Sequence, residues 1–164
     1  MGVCRGAPGA RYVAGGAFAL GLSAVAQVLA AGSGRTVDVV YDLAVPDVLV
    51  PRGLFQVFQN LIKNAVDSLP DEGRVEIRAG IRDGEVCVEV ADTGCGIPEG
   101  LMDRVYEPFF TTKEVGQGTG LGLSIVNRIM ERFGGGMNIE SEVGRGTTVT
   151  VFLPMRPVIL TRKE

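Results

Sequence analysis

LFQVFQNLIKNAVDSLPDEGRVEIRAGIRDGEVCVEVAD, residues 54–92, is the stretch that decides the architecture. Its first half has a helical period. Leu54, Phe55, Phe58, Leu61, Ile62, Ala65, Val66 and Leu69 recur at spacings of three and four and make one broad apolar face. Gln56, Asn60, Lys63, Asn64 and Asp67 lie opposite. The pattern predicts a helix over 53–69, closed by Pro70-Asp71-Glu72-Gly73. The second half switches to a period of two. Val75, Ile77 and Ala79 alternate to one side, Asp83-Gly84 makes the turn, and Val86, Val88 and Val90 alternate back. A helix followed at once by a half-buried hairpin requires that the helix cover the hairpin's apolar face.

Working outward, Thr36–Leu43 alternates as a strand, with Val37, Val39, Tyr41 and Leu43 on one side and Asp38 and Asp42 on the other. Pro46 and Pro51 punctuate a loop. Downstream, residues 92–120 lack periodicity apart from a short helical stretch near Glu99–Val105; a loop of this length in a compact domain is usually functional. Leu121–Phe133 reads as a helix with Leu121, Ile125, Val126, Ile129, Met130 and Phe133 as its buried stripe. Strands over Met137–Glu142 and Thr147–Leu153 flank Gly144-Arg145-Gly146. The expected fold is an α/β (α+β) two-layer sandwich: a mixed five-stranded sheet with three helices on one face.

The beginning of the chain reads three ways. Residues 13–32 carry no charge, which suits a signal peptide or a membrane span, although six of those twenty residues are glycine, serine or glutamine. The third reading is a packed helix over 18–31, with Leu20, Leu22, Val25, Val28 and Leu29 facing inward and Gly32-Ser33-Gly34 ending it. The strand at Thr36 needs a covering helix, so the packed helix is preferred. Residues 1–17 are then a flexible leader, 18–154 the domain and 155–164 a tail.

Composition excludes several functions. A net charge of −3 and a pI near 5.1 argue against a general nucleic-acid binder. Cys4, Cys87 and Cys95 have no metal-ligand spacing, and their odd number suits a reducing, cytoplasmic compartment. The chain has no histidine. Ser-His-Asp and Cys-His nucleophile systems and histidine metal sites are therefore absent, as is any phosphohistidine on this chain.

Three segments carry chemistry. Asn60 and Asn64 set two carboxamides one helical turn apart, an unfavoured choice inside a helix. Carboxamide oxygens suit Mg²⁺, although such a pair taken alone is more often a solvated face. Ala91-Asp92-Thr93-Gly94-Cys95-Gly96-Ile97-Pro98 leaves a strand with a carboxylate able to accept from an adenine amino group; a plain turn would also fit it. Gly116-Gln117-Gly118-Thr119-Gly120-Leu121-Gly122-Leu123 runs into a helix whose first amides suit phosphate oxygens. It is neither a P-loop nor a dinucleotide fingerprint, because no Gly-Lys-Ser/Thr follows and no strand precedes it.

In this order the segments resemble the GHKL family of ATP-binding domains, and within it the histidine kinases. Gln59-Asn60-Leu61-Ile62-Lys63-Asn64-Ala65 is similar to the family's N box, and Asp92-Thr93-Gly94-Cys95-Gly96-Ile97 to its first glycine box. Tyr106-Glu107-Pro108-Phe109-Phe110-Thr111-Thr112-Lys113 resembles the F box of histidine kinases. Gly118-Thr119-Gly120-Leu121-Gly122-Leu123 and Gly144-Arg145-Gly146-Thr147-Thr148 resemble the remaining glycine boxes. Five motifs in order over about residues 20–154 make the resemblance specific, and it implies a Bergerat-type ATP-binding fold.

The resemblance also implies roles. Asn64 would hold the Mg²⁺ that bridges the phosphates of ATP, supported by Asn60. Asp92 would read the adenine amino group in a pocket shaped by Gly94, Gly96 and Ile97 and closed by Thr147. Gly118, Thr119, Gly120, Leu121, Gly122 and Leu123 would line the phosphates beneath a lid over about 99–120. Phe109 and Phe110 would anchor that lid hydrophobically, with Thr112 and Lys113 near the nucleotide. Where many histidine kinases carry a lysine three residues past the magnesium asparagine, this chain has Asp67, as in kinases of the nitrogen-regulation type. Lys113 or Lys63 then stands in for the missing positive charge.

Family members that hydrolyse ATP or phosphorylate serine place a glutamate four residues before that asparagine, as general base. Here the position is Asn60, which cannot take a proton. The implied activity is phosphoryl transfer to a histidine on a dimerisation domain, in cis or in trans, feeding a response regulator in two-component signalling. A nucleotide-binding regulatory module is the alternative. A membrane would be involved only through spans elsewhere in a longer kinase.

Overall fold

The computed structural model describes residues 12–44, 49–112 and 119–154. The elements run β1 (Tyr12–Ala14), α1 (Gly15–Gly32), β2 (Thr36–Leu43), β3 (Leu49–Pro51), α2 (Leu54–Ser68), β4 (Glu72–Arg82) and β5 (Glu85–Asp92). A 3-10 turn (Glu99–Arg104), α3 (Gly122–Arg132), β6 (Gly136–Glu142) and β7 (Gly146–Pro154) complete the order. Five strands form one sheet in the order β2-β4-β5-β7-β6, with β2 parallel to β4 and every other pair antiparallel. This is the expected mixed sheet with helices packed on it.

The two-residue turn between β4 and β5 sets the register of the central hairpin. Asp83 and Gly84 both have positive φ, 52° and 79°, the backbone that matches the twist of antiparallel strands. Val75, Ile77 and Ala79 of β4 and Val86, Val88 and Val90 of β5 consequently fall on the buried face. Charged residues stand among their outward neighbours, and Arg78 pairs with Glu76 at 2.8 Å and Glu89 at 3.0 Å. Exposed pairs of this kind add little stability, but they keep that face in water.

α2 lays Leu54, Val57, Phe58, Leu61, Ile62, Ala65 and Val66 onto the sheet. Val57 was not expected on this face, yet it is fully buried because α1 and α3 close on α2 from either side. The Phe18 ring of α1 meets Phe55 at 5.3 Å and Phe58 at 5.4 Å, tilted and edge-on. Tyr41 of β2 donates its hydroxyl to the Ser23 carbonyl at 3.0 Å, tying α1 to the sheet edge.

Three expectations for the beginning need correction. The helix starts at Gly15, and Tyr12–Ala14 pairs antiparallel with Leu49–Pro51, so residues 12–17 belong to ordered elements rather than to a leader. Pro51 correspondingly ends a short strand instead of punctuating a loop. Leu20 and Val28 do not pack inward; they are 73% and 71% exposed. The buried positions are Phe18, Leu22 and Ala26, and a step of two residues turns a helix by roughly 200°, to the far side. No helix among the described residues is long and apolar enough to cross a membrane. The expected leader residues 1–11 and tail 155–164 lie outside the described residues.

Candidate functional site

A cavity of about 570 Å³ opens between α2, the sheet end at β5–β7–β6 and the segment before α3. Its floor follows from strand register. Val90, Val149 and Ile139 are direct partners across β5, β7 and β6, so their side chains form one apolar rung under the opening. A flat apolar floor with few polar groups above it suits a ring-shaped ligand.

Two register positions toward the sheet end, Asp92 faces Thr147. The amides of Gly94 (2.8 Å) and Thr147 (3.3 Å) both donate to Asp92 Oδ1. Burial raises the Asp92 pKa above the ordinary carboxylate range; the Gly94 amide, the Ser68 hydroxyl and the Thr147 amide offset this in part. Gly94 does not line the cavity. It lies buried behind it, where a methyl group would come within 2.8 Å of Asp92 Oδ1 and 2.6 Å of the Ser68 carbonyl oxygen. Gly96 and Ile97 do line it, and the Ile97 amide donates to Ser141 Oγ at 2.8 Å, which in turn touches Thr147 Oγ1 at 2.8 Å.

At the opposite end stand Asn60 and Asn64. A methyl group on Gly122, the first residue of α3, would sit 3.3 Å from Asn64 Nδ2 and 3.7 Å from Asn60 Oδ1. Both carboxamides therefore face the start of a helix, where backbone amides are unpaired and the helix dipole favours anions. Asn60 also donates to the Gln56 carbonyl at 3.0 Å, which orients its oxygen. Carboxamide oxygens beside a helix start whose dipole favours anions fit Mg²⁺, which takes few protein ligands and keeps water and phosphate oxygens.

Lys63 and Asp67 also line the cavity, joined by an ion pair of 2.7 Å. The lysine expected to replace a missing positive charge is thus partly neutralised one turn along its own helix. Thr112, Thr119, Gly120 and Leu123 line the wall formed by the loop and α3. Leu121 lies behind it as the α3 N-cap, its carbonyl accepting from the Ile125 amide at 3.0 Å. Lys113 and Gly118, also expected here, lie outside the described residues.

The two phenylalanines of the loop behave differently. Phe110 lines the cavity and carries the Arg104 guanidinium 4.4 Å above its ring. Phe109 corrects the expectation of a hydrophobic anchor, because it is 76% exposed with φ of 67°. Its backbone does the anchoring instead: the Phe109 amide donates to the Gly120 carbonyl at 2.9 Å. Gly120, itself at φ 65°, presses against the Phe109 backbone where no Cβ fits. Sequence reasoning missed the floor residues and Ser68. Val90, Ile139 and Val149 carried a signal only as alternating core positions, and Ser68 carried none.

The profile described as "Histidine kinase-, DNA gyrase B-, and HSP90-like ATPase" matches residues 49–157, well over half of the chain. The chain belongs to this family. Sensor kinase CckA of Brucella abortus is 46% identical over 114 residues, which cover 60% of this chain and 12% of that protein. Full-length ShkA in complex with AMPPNP superposes with a TM-score of 0.76 at 29% identity, over 92% of this chain and 32% of that one. The catalytic domain of histidine kinase ThkA gives 0.74 at 27% identity, over 88% and 95%. The chain spans between 12% and 24% of the length of the curated relatives it matches.

Proposed function

We propose that this chain is the ATP-binding catalytic domain of a histidine kinase, donating the γ-phosphoryl group to a histidine outside these 164 residues. The observation that carries the reading is Asn60, a side chain unable to take a proton, beside Asn64 and the start of α3. A hydrolase or serine kinase of this family needs a carboxylate there to deprotonate water or a hydroxyl. A neutral imidazole attacks phosphorus with its ring nitrogen lone pair and needs no prior deprotonation. The N–P bond forms as the bond from the γ-phosphorus to the bridging oxygen breaks, and ADP leaves.

The domain's part is to position and to neutralise charge. Adenine would lie on Val90, Ile139 and Val149 with its amino group on Asp92. The phosphates would meet the α3 amides, and Asn64, with Asn60, would hold Mg²⁺. When bound, that ion would offset phosphate charge. The relatives' names as sensor kinases and the AMPPNP complex of the neighbour ShkA support this reading, and Cys87 and Cys95, the free cysteines among the described residues, suit the cytoplasmic side. A response regulator would receive the phosphoryl group in turn.

The test is incubation with γ-labelled ATP, Mg²⁺ and a cognate helical histidine-bearing domain. Acid-labile label should appear on that domain and none on this chain. ATP binding without transfer would instead support a nucleotide-binding regulatory module.

A further inference from the structure

We infer that Ser68 is a positioning residue for the Asp92 carboxylate and thereby helps select adenine over other purines, an inference that rests on the ATP reading above. Ser68 is the last residue of α2 and lines the cavity with Asp92. Its carbonyl accepts the Cys95 amide at 3.1 Å, clamping the glycine loop to the helix end. A Cβ on Gly94 would meet both Ser68 Oγ and Asp92 Oδ1, so the two side chains share the space that this glycine leaves open.

Asp92 Oδ1 is held by two backbone amides, which fixes one carboxylate oxygen. The Ser68 hydroxyl donates to the Ala65 carbonyl at 2.7 Å, and it also favours the ionised form of the neighbouring Asp92 carboxylate. A hydroxyl has one proton, so it serves either Ala65 or Asp92 at a given moment. Turned to Asp92, it holds the carboxylate ionised and oriented, leaving an acceptor direction toward the cavity. A 6-amino purine offers a donor to that direction. A 6-oxo purine brings oxygen lone pairs against it, which is repulsive.

Dissociation constants for ATP and for purine riboside triphosphate, which lacks the 6-amino group, decide the matter in three chains: wild type, Ser68→Ala and Ser68→Thr. Ser68→Ala should weaken ATP by about tenfold while changing the analogue by less than about twofold. Ser68→Thr, which keeps the hydroxyl, should retain the wild-type ratio of the two affinities. An unchanged ratio in Ser68→Ala, through equal losses or none, overturns the inference alone. A wild-type chain that binds neither nucleotide overturns the ATP reading and this inference with it.

Discussion

At the scale of the residue, the proposed nucleotide site divides into an end that would read the base and an end that would hold charge. Asn64 belongs to the second, beside Gly122, where a helix start meets a carboxamide. Asn64→Ala should weaken Mg-dependent ATP binding by on the order of tenfold or more, with little change in metal-free binding. Calorimetric titration with and without Mg²⁺ measures this, and equal affinities in both chains would count against the metal assignment. Asp92 belongs to the first end. Its raised pKa means that the free domain takes up a proton at a higher pH than an exposed aspartate does. Only the ionised carboxylate accepts from an adenine amino group without a competing proton. Affinity should therefore be full above the raised pKa and fall as pH drops through it. Asp92→Asn, titrated in parallel, removes this component and leaves the nucleotide's own protonation.

At the scale of the element, the site depends on how loop and helix are joined. The described residues between Pro98 and α3 are secured by Val105 in the interior, by Arg104 on Phe110, and by the backbone bond from Phe109 to Gly120. Gly120→Ala puts a Cβ against the Phe109 backbone and forces an L-residue to φ 65°. It should cost about 1–2 kcal/mol from the backbone conformation alone. A thermal melt would register the loss and nucleotide titration would show weakened binding; an unaltered melt and affinity would mean that this junction is not strained. α1 and α3 show why elements were unevenly legible. α3 alternates polar and apolar residues at helical spacing, and its Val126, Met130 and Phe133 were readable as buried. α1 has only Ser23 and Gln27 to break an otherwise apolar and glycine-containing run, so the side facing α2 could not be told from its opposite.

At the scale of the whole molecule, a single core joins all three helices to the sheet, with no polar side chain buried among the described residues. Phe58 lies at its centre, fully enclosed between α1 and the sheet. Phe58→Ala should lower global stability by about 3–5 kcal/mol, read from the midpoint of urea unfolding. A shift confined to one spectroscopic probe would argue against one cooperative unit. The absence of histidine acts at this scale too. The proposed transfer to histidine would require an acceptor elsewhere, so ATP and Mg²⁺ alone should leave this chain unlabelled however tightly they bind.

The sequence by itself determined the order of the three helices and of the five strands in the main sheet, the mixed sheet and the family. Periods of 2 and 3.6 are local properties of which side chains must be dry, and glycines and asparagines at chemical positions stand out from that pattern. What only the tertiary structure decided is which residues meet. The β1–β3 ribbon is too short to carry a period. Val90, Val149 and Ile139 become a floor only when three strands come into register, and Ser68 comes beside Asp92 only because the end of α2 packs against Gly94. Phe109 reads as apolar, yet its positive φ leaves the ring exposed and gives the anchoring to its backbone. Pairing, register and chain reversal join residues far apart in sequence, and no local pattern of hydrophobicity encodes those contacts.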